Sequence, residues 1–360
     1  MTLLMITRKV DKDDWLAGHS FEWAKAISYQ LPANSYKLVV ICLEKGDAEG
    51  IGENVIIESL GKEHGVSRWE RFWNFHKLAA KYVRECDGIF CHQNPEYAIA
   101  VAPWAFLFGK KIISWYVHKS VTWKTRLMLA LSSTVLTASK ESFRLPSSKV
   151  KVVGHGIDVS KFKATSYKLP ATSLKIITVG RVSPVKDLET LILAAKLLRD
   201  DHNITNFEIK IIGDVGLPEH EGYRNSLIDL INNTNLSDLV KLEKSVPHDK
   251  VHEAYQQADV FVNLSQTGSV DKAVLEAMAC ENIVVTSNEA FSDMLMPFAD
   301  LCLVAPNEAK SLSEKLFAIS KLNESDRKAL GANLRKIVVE NHSLDKLAKI
   351  IATQFKTDIS

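Results

Sequence analysis

Residues 178–190 read TVGRVSPVKDLET, in which a strand, a loop and a helix follow one another. The apolar run before the loop predicts a buried strand ending at Gly180, and the helix is predicted to begin near Asp187. Arg181 and Lys186 flank the loop. A guanidinium, an ammonium and free helix amides at the carboxyl end of a parallel strand are typical of a diphosphate site. Taken alone, a solvated loop with two surface charges explains the stretch equally well.

The same alternation of strand and helix runs along most of the chain. Strands are predicted at residues 3–7, 37–43, 55–58, 88–91, 111–117, 134–137, 150–153, 174–179, 207–212, 260–263 and 283–286. Helices are predicted at residues 20–29, 67–84, 122–131, 188–199, 223–232, 270–280, 325–340 and 344–355. Nearly continuous Val and Ile runs mark strands that are buried on both faces. The alternation therefore predicts an α/β architecture with doubly wound sheets.

A polar stretch at residues 158–173, DVSKFKATSYKLPATS, fits neither period and predicts an interdomain linker. The length of 360 residues has room for two domains. We expect an N-terminal domain over residues 1–163 and a C-terminal domain over residues 164–340. A terminal helix is expected within residues 341–360, with the option of crossing back to the first domain.

The charge is unevenly distributed, although the net charge of +2 argues against a general nucleic-acid binder. Residues 1–170 hold 24 Lys and Arg against 16 Asp and Glu, whereas the remainder holds 21 against 27. The longest apolar run, residues 98–108, falls short of the ~20 residues that a spanning helix needs. The start lacks a signal-peptide pattern, and five scattered cysteines favour a cytoplasmic protein with reduced thiols.

A second segment, residues 258–280, reads ADVFVNLSQTGSVDKAVLEAMAC. Its strand is predicted to end before a loop in which Thr267, Gly268 and Ser269 offer backbone amides and hydroxyls to a polar ligand. Glu276 follows on an apolar, buried helix, and a buried carboxylate needs partners. The two hydroxyls of a ribose would satisfy it, while an ordinary helical glutamate is the alternative.

Both segments resemble the retaining glycosyltransferases of family 4, and further matching motifs are IIGD at 211–214, VKLEKSVPH at 240–248, SNE at 287–289, ENHS at 340–343 and VGHGID at 153–158. The resemblance implies the GT-B fold, in which two doubly wound Rossmann-like domains face a central cleft. It also implies that the second domain holds a nucleotide-diphosphate sugar and that the first holds the acceptor.

The resemblance implies roles for individual residues. Arg181 and Lys186 would bind the donor diphosphate, Glu276 would bind the ribose, and Gly18 would let the backbone approach a phosphate. His118 would lie near the transferred sugar, with a structural histidine at a strand end as the alternative. The expected catalytic residues are thus His118, Arg181 and Lys186. The expected donor-binding residues are Gly18, Gly180, Thr267, Gly268, Ser269, Asp271, Lys272 and Glu276.

Two departures from the family pattern bear on the sugar site. Gly268 occupies the position of the first glutamate of a paired-glutamate signature, so Asp271 or Lys272 is expected to contact the sugar instead. Glu281 replaces a glycine that usually precedes the next strand.

The expected function is a hexosyltransferase-type glycosyltransferase that acts on a glycan or lipid-linked acceptor without a metal or other cofactor. The nucleotide sugar is then a substrate, and its diphosphate would be stabilised by Arg181 and Lys186. A nucleotide-sugar epimerase and a non-catalytic sugar-nucleotide-binding protein remain as alternatives.

Two candidate metal sites have simpler explanations. Asp11 and Asp13 have the Asp-x-Asp spacing of metal-dependent transferases but lie among lysines, where a solvated turn is favoured. Cys86, Cys91 and His92 supply too few ligands for a structural zinc site.

The basic half carries two clusters of aromatic and cationic residues, at 67–84 and at 119–126. On a helix, Trp69, Phe72 and Trp73 share a stripe, which is predicted to pack on the sheet. The alternative is contact with an anionic membrane surface. The clusters favour an anionic or lipid-linked acceptor, and a peripheral location at the inner membrane face stays open beside a cytoplasmic one.

Overall fold

A computed structural model describes residues 2–14, 18–30, 37–164 and 173–355 of the chain. The chain divides into two compact units, one formed by Met1–Asp158 with His342–Ser360 and the other by Val159–Asn341. Of the stretch interpreted as a linker, residues 165–172 lie outside the described residues.

The first unit contains a seven-stranded parallel sheet with the strand order β3-β2-β1-β4-β5-β6-β7. Its elements up to the unit boundary are β1 (Thr2–Val10), α1 (Gly18–Gln30), β2 (Lys37–Lys45), β3 (Val55–Ser59), α2 (Arg68–Glu85), β4 (Gly88–His92), α3 (Pro95–Leu107), β5 (Ile112–Trp115), α4 (Trp123–Leu131), β6 (Thr134–Thr137) and β7 (Val150–Val152). Alternate residues of β1 point to opposite faces of this sheet, so Leu3 and Met5 belong to one apolar core and Leu4 and Ile6 to the other. Burial on both faces is what a doubly wound sheet requires.

The second unit contains a five-stranded parallel sheet with the order β10-β9-β8-β11-β12. Its elements are β8 (Leu174–Val179), α5 (Leu188–Asp200), β9 (Phe207–Ile212), α6 (Glu221–Asn233), β10 (Val240–Glu243), α7 (Val251–Gln256), β11 (Val260–Asn263), α8 (Lys272–Ala279), β12 (Ile283–Thr286), α9 (Ser292–Leu295), α10 (Ala299–Cys302), α11 (Ala309–Lys321) and α12 (Glu324–Asn341). The two parallel sheets confirm the expected α/β fold class of doubly wound units.

The last helix, α13 (Leu344–Thr353), returns to the first unit, where it packs on α1. Leu347 and Ile351 are fully buried in the same core as Trp23. Gly156 lies beneath this helix at φ +78°, and a Cβ there would come within 2.7 Å of Leu347 and 2.9 Å of Trp23. A glycine is therefore needed at residue 156 both for its backbone conformation and for the close approach of α13.

The expectation that the aromatic stripe of α2 packs on the sheet is wrong. Its side chains Trp69, Phe72 and Trp73 are 75%, 47% and 66% exposed. The helix instead buries a second stripe spaced by three or four residues, which comprises Phe75, Ala79, Tyr82 and Val83. Because that stripe alone faces the core, the aromatic residues of the first two turns remain in solvent.

We expect Leu347→Ala to lower the free energy of unfolding by about 2–5 kcal/mol, because it opens a cavity between α13 and the core of the first unit. Urea denaturation measures the change. The matched control is Lys349→Ala on the exposed face of α13, which should change stability by less than about 0.5 kcal/mol. Equal effects of the two variants would contradict the packing of α13.

Candidate functional site

The candidate site of the second unit lies at the carboxyl ends of β8 and β11. These strands are parallel neighbours in the sheet, with Ile176 paired to Val260 and Ile177 to Phe261. Carboxyl ends of adjacent parallel strands meet at one edge, so the loops after β8 and β11 lie side by side. A hydrogen bond from the Gln266 amide to the Val185 carbonyl, 3.1 Å long, joins the two loops directly.

Gly180 ends β8 in a conformation that favours glycine, with φ +151°. Its amide donates to the Ile212 carbonyl, and a Cβ on the neighbouring Gly213 would overlap the Gly180 carbonyl oxygen. A Cβ at residue 180 itself would lie 3.4 Å from Cε of Lys186. The lysine side chain thus packs against this glycine at the sheet edge.

Lys186 forms an ion pair with Asp271, whose Oδ2 lies 2.6 Å from the lysine Nζ. The same carboxylate accepts from Asn263 Nδ2 at 3.0 Å and caps α8 through the Ala273 amide at 3.2 Å. Burial alone would raise the pKa of Asp271, but Lys186 and these hydrogen bonds outweigh it and lower the pKa. The ammonium group is thereby fixed before any ligand arrives.

Arg181 differs from Lys186 because its side chain is exposed and forms no ion pair within the described part of the chain. A Cβ on Gly216 would lie 2.6 Å from Cδ of Arg181, so the aliphatic part of the arginine side chain packs directly against this glycine. The expected helix amides are less available, since the Leu188 amide at the start of α5 donates to the Tyr223 hydroxyl. The Leu188 amide is therefore not available to a ligand, whereas the exposed Arg181 side chain is.

Glu276 is buried on α8 and has three protein partners. Its Oε1 lies 3.3 Å from both Lys272 Nζ and His248 Nε2, and its Oε2 accepts from the Tyr255 hydroxyl at 3.2 Å. Burial would raise the pKa of Glu276, but Lys272 and His248 lower it to about 2. The carboxylate's need for partners is met within the protein, so its burial does not by itself indicate a ligand.

His248 and Tyr255 are members of this cluster that sequence reasoning did not select. Burial, with Lys272 nearby, lowers the pKa of His248, and burial also raises the pKa of Tyr255 well above its usual value. Both groups are therefore uncharged near neutral pH. The signal for His248 was its place in the 240–248 motif, whereas nothing in the sequence around Tyr255 indicates that it reaches Glu276.

The loop after β11 presents polar backbone groups at the same edge. The amides of Thr267, Gly268 and Ser269 donate no hydrogen bond to another residue in the described ranges. Gly268 is buried at φ +62°, where a glutamate would be strained. Three free amides in one short loop are suited to an anionic or hydroxyl-rich ligand.

Two of the expected residues lie in the first unit. Gly18 is buried and begins α1, and its amide donates to the Asp14 carbonyl, while residues 15–17 before it lie outside the described ranges. His118 is exposed beyond the end of β5, where its Nδ1 accepts from the Ser120 amide at 3.0 Å. That bond places the ring proton of neutral His118 on Nε2.

The candidate metal ligands have other partners. Lys9 forms ion pairs with Asp11 and Asp14, at 2.9 and 2.6 Å. Cys91 and its neighbour His92 point to opposite faces of β4, and burial raises the pKa of the Cys91 thiol. Within the described ranges, no three His, Cys, Asp or Glu side chains are grouped to hold a metal ion.

Comparison with known proteins identifies relatives of this chain. Residues 159–337 match the family model described as "Glycosyl transferases group 1". The putative colanic acid biosynthesis glycosyltransferase WcaL of Escherichia coli is 28% identical over 207 residues, which are 56% of this chain and 49% of WcaL. The D-inositol 3-phosphate glycosyltransferase of Thermobispora bispora is 28% identical over 169 residues, 44% of this chain and 39% of that enzyme. Matched segments thus span about half or less of these relatives.

A solved structure resembles the chain over its full length. Anabaena HepE in complex with UDP and glucose has a TM-score of 0.73 and 16% sequence identity, and the match covers 99% of both chains. At this identity the likeness concerns the fold alone, and it confirms the GT-B fold class expected from the sequence.

We expect Glu276→Gln to destabilise the protein at pH 7 by about 1–3 kcal/mol, because Lys272 loses its buried charged partner. The folded-state pKa of Glu276 is lowered, so its carboxylate stabilises the fold above the unfolded pKa of about 4.3 and ceases to do so as pH falls through about 2. The stability difference between wild type and variant should therefore shrink from pH 5 to pH 2. Chemical denaturation over this pH range measures it.

The control for this comparison is Glu324→Gln, which removes the carboxylate of an exposed ion pair with Lys328. Its effect should be under about 1 kcal/mol at every pH. A pH-independent loss in Glu276→Gln would show that the ionised carboxylate is not the stabilising group.

Proposed function

Because the chain belongs to the glycosyl transferases group 1 family through residues 159–337, we propose that it transfers a sugar from a nucleotide-diphosphate donor to a hydroxyl group of a glycan or lipid-linked acceptor. The proposal extends to a hexosyl donor, a reaction that needs no metal, and retention of the anomeric configuration. Retention rests on the family resemblance alone.

The observation that carries the proposal is the pairing of a fixed and a free cation at one sheet edge. Lys186 is held 2.6 Å from Asp271, while Arg181 has no carboxylate partner among the described residues. As the bond to the sugar breaks, negative charge grows on the leaving diphosphate. Lys186, which is already in position, would stabilise this charge without reorganising during the reaction, and Arg181 would add a second cation.

The remaining donor contacts follow from the same edge. The free amides of Thr267, Gly268 and Ser269 are proposed to bind phosphate or sugar oxygens. Glu276 is proposed to accept from the ribose hydroxyls, while Lys272 keeps the carboxylate ionised. Asp271 positions Lys186, which packs against Gly180.

In the first unit, we propose that Gly18 admits a donor phosphate close to the backbone and that His118 contacts the transferred sugar. With Nδ1 accepting from the Ser120 amide, His118 presents Nε2–H as a donor to a sugar hydroxyl. No helix of the described residues combines the length and apolar character that would take it across a membrane.

The first test identifies the donor by its binding to the protein. Binding stabilises the folded state by mass action, so UDP-, GDP- and ADP-sugars can be ranked by the shift in melting temperature that each causes. UDP-glucose is the first candidate, because HepE has been solved in complex with it.

With the donor that binds best, we expect Arg181→Ala and Lys186→Ala each to lower kcat/KM. The loss in each variant should correspond to about 2–4 kcal/mol of transition-state stabilisation. Steady-state release of the nucleoside diphosphate measures the loss. Lys336→Ala, an exposed lysine of α12, is the matched control and should leave the rate unchanged.

Unchanged turnover in both Arg181→Ala and Lys186→Ala would contradict the proposed roles. Nucleotide release without any acceptor would point to another nucleotide-sugar enzyme. Chelation by EDTA should not slow the reaction. If EDTA abolished turnover and added Mg²⁺ or Mn²⁺ restored it, the metal-independent mechanism would be contradicted.

A further inference from the structure

A cavity of about 550 Å³ lies in the first unit, between α2 and α3 at the carboxyl ends of β1 and β2. Its walls are mainly apolar, and they include Ile6, Ile41, Leu60, Phe75, Tyr97 and Ala100. This cavity contains none of the residues proposed above to bind the donor. An apolar cavity of this size fits part of a small molecule or a lipid chain.

Two arginines line the same cavity. Arg68 and Arg71 belong to the first turn of α2, and neither forms an ion pair with another described residue. The nearby carboxylate of Glu96 is already bound to Lys124 at 2.7 Å. The cavity therefore combines an apolar wall with two available guanidinium groups, whose fork geometry suits phosphate oxygens.

The apolar surface continues from the cavity into solvent. Phe72 lines the cavity and is also 47% exposed, and its ring contacts those of Trp69 and Trp73 at centroid distances of 6.1 and 5.4 Å. Much of the surface of these rings is exposed to water, and exposure of apolar surface to water is unfavourable in free energy. A contiguous exposed aromatic patch beside a cavity marks a binding surface.

We propose that this cavity binds a lipid phosphate or diphosphate, with Arg68 and Arg71 on the phosphate and the hydrocarbon chain between α2 and α3. A soluble anion would need the arginines but not the apolar wall. Adsorption to a bilayer would use Trp69 and Trp73 but would not need the cavity between α2 and α3. The proposal rests on the proposed function, because the ligand would be the anchor of a lipid-linked acceptor.

Geranylgeranyl diphosphate, below its micelle-forming concentration, is a suitable probe for isothermal titration calorimetry. It should bind at least about tenfold more tightly than either inorganic diphosphate or geranylgeraniol, because only the intact probe uses both parts of the cavity. Equal binding of inorganic diphosphate would overturn the proposal, since it would show a charge effect alone.

The decisive variant is the double substitution Arg68→Gln with Arg71→Gln. We expect it to weaken probe binding by about tenfold or more, because charge-assisted hydrogen bonds to phosphate are lost. The matched control, Lys77→Gln with Arg84→Gln, removes the same charge from exposed positions of α2 outside the cavity and should bind within about twofold of wild type. Equal weakening in both double variants would overturn the site in favour of a general basic surface.

A second variant tests the apolar wall. Ala100→Leu should weaken binding of geranylgeranyl diphosphate severalfold without changing the response to inorganic diphosphate, since it fills the cavity. Circular dichroism checks that each variant is folded. Nucleotide binding, measured on the same variants, separates the two proposals: its absence in wild type removes the proposed donor site, whereas loss of specific probe binding removes only the cavity ligand.

Discussion

The parallel pairing of β8 with β11 is the constraint on which the candidate site depends. It brings Lys186 within 2.6 Å of Asp271, although 85 positions separate the two residues along the chain. Each partner also lies at the end of a local element: Lys186 is the last residue of a short 3₁₀ turn, and Asp271 caps α8. A change at Asp271 would therefore remove both the cap of α8 and the ion-pair partner of Lys186.

The local pairing of charges explains how a diphosphate could be bound in a unit with net negative charge. Lys186 and Lys272 pair with the buried carboxylates of Asp271 and Glu276, whereas Arg181 forms no ion pair among the described residues. The two buried carboxylates orient their lysines, and the exposed arginine remains available to an anion. Local placement of side chains, rather than the total charge of the unit, thus determines which ligand is attracted.

Local backbone signals in the sequence were informative, whereas partners distant in sequence were not. Gly180 marks the end of a strand because its conformation requires glycine, and the matching of Glu281 to a family glycine is explained by its φ of +62°. By contrast, no local pattern shows that Tyr255 and His248 would converge on Glu276. The strand β10 is not predicted from the sequence, where its residues appear only within the motif at 240–248. The four-residue segment VKLE is too short and too polar to show a strand pattern.

On α2, helical periodicity does not identify the buried face, because two apolar stripes have helical spacing. The stripe at Phe75 and Ala79 is buried, and the one at Trp69 and Trp73 is not, although both have helical spacing. Ion pairs account for several of the cations in the first 170 residues, since carboxylates pair with Lys9, Lys12, Lys62 and Lys124. Arg68 and Arg71 have no such partner in the described ranges, and they lie beside the exposed aromatic rings. Exposed arginines are well solvated and favour solubility, so the exposed aromatic rings are the feature that the stability of the fold does not explain. Their coincidence with two unpaired guanidinium groups on one helix fits the amphiphilic ligand proposed above.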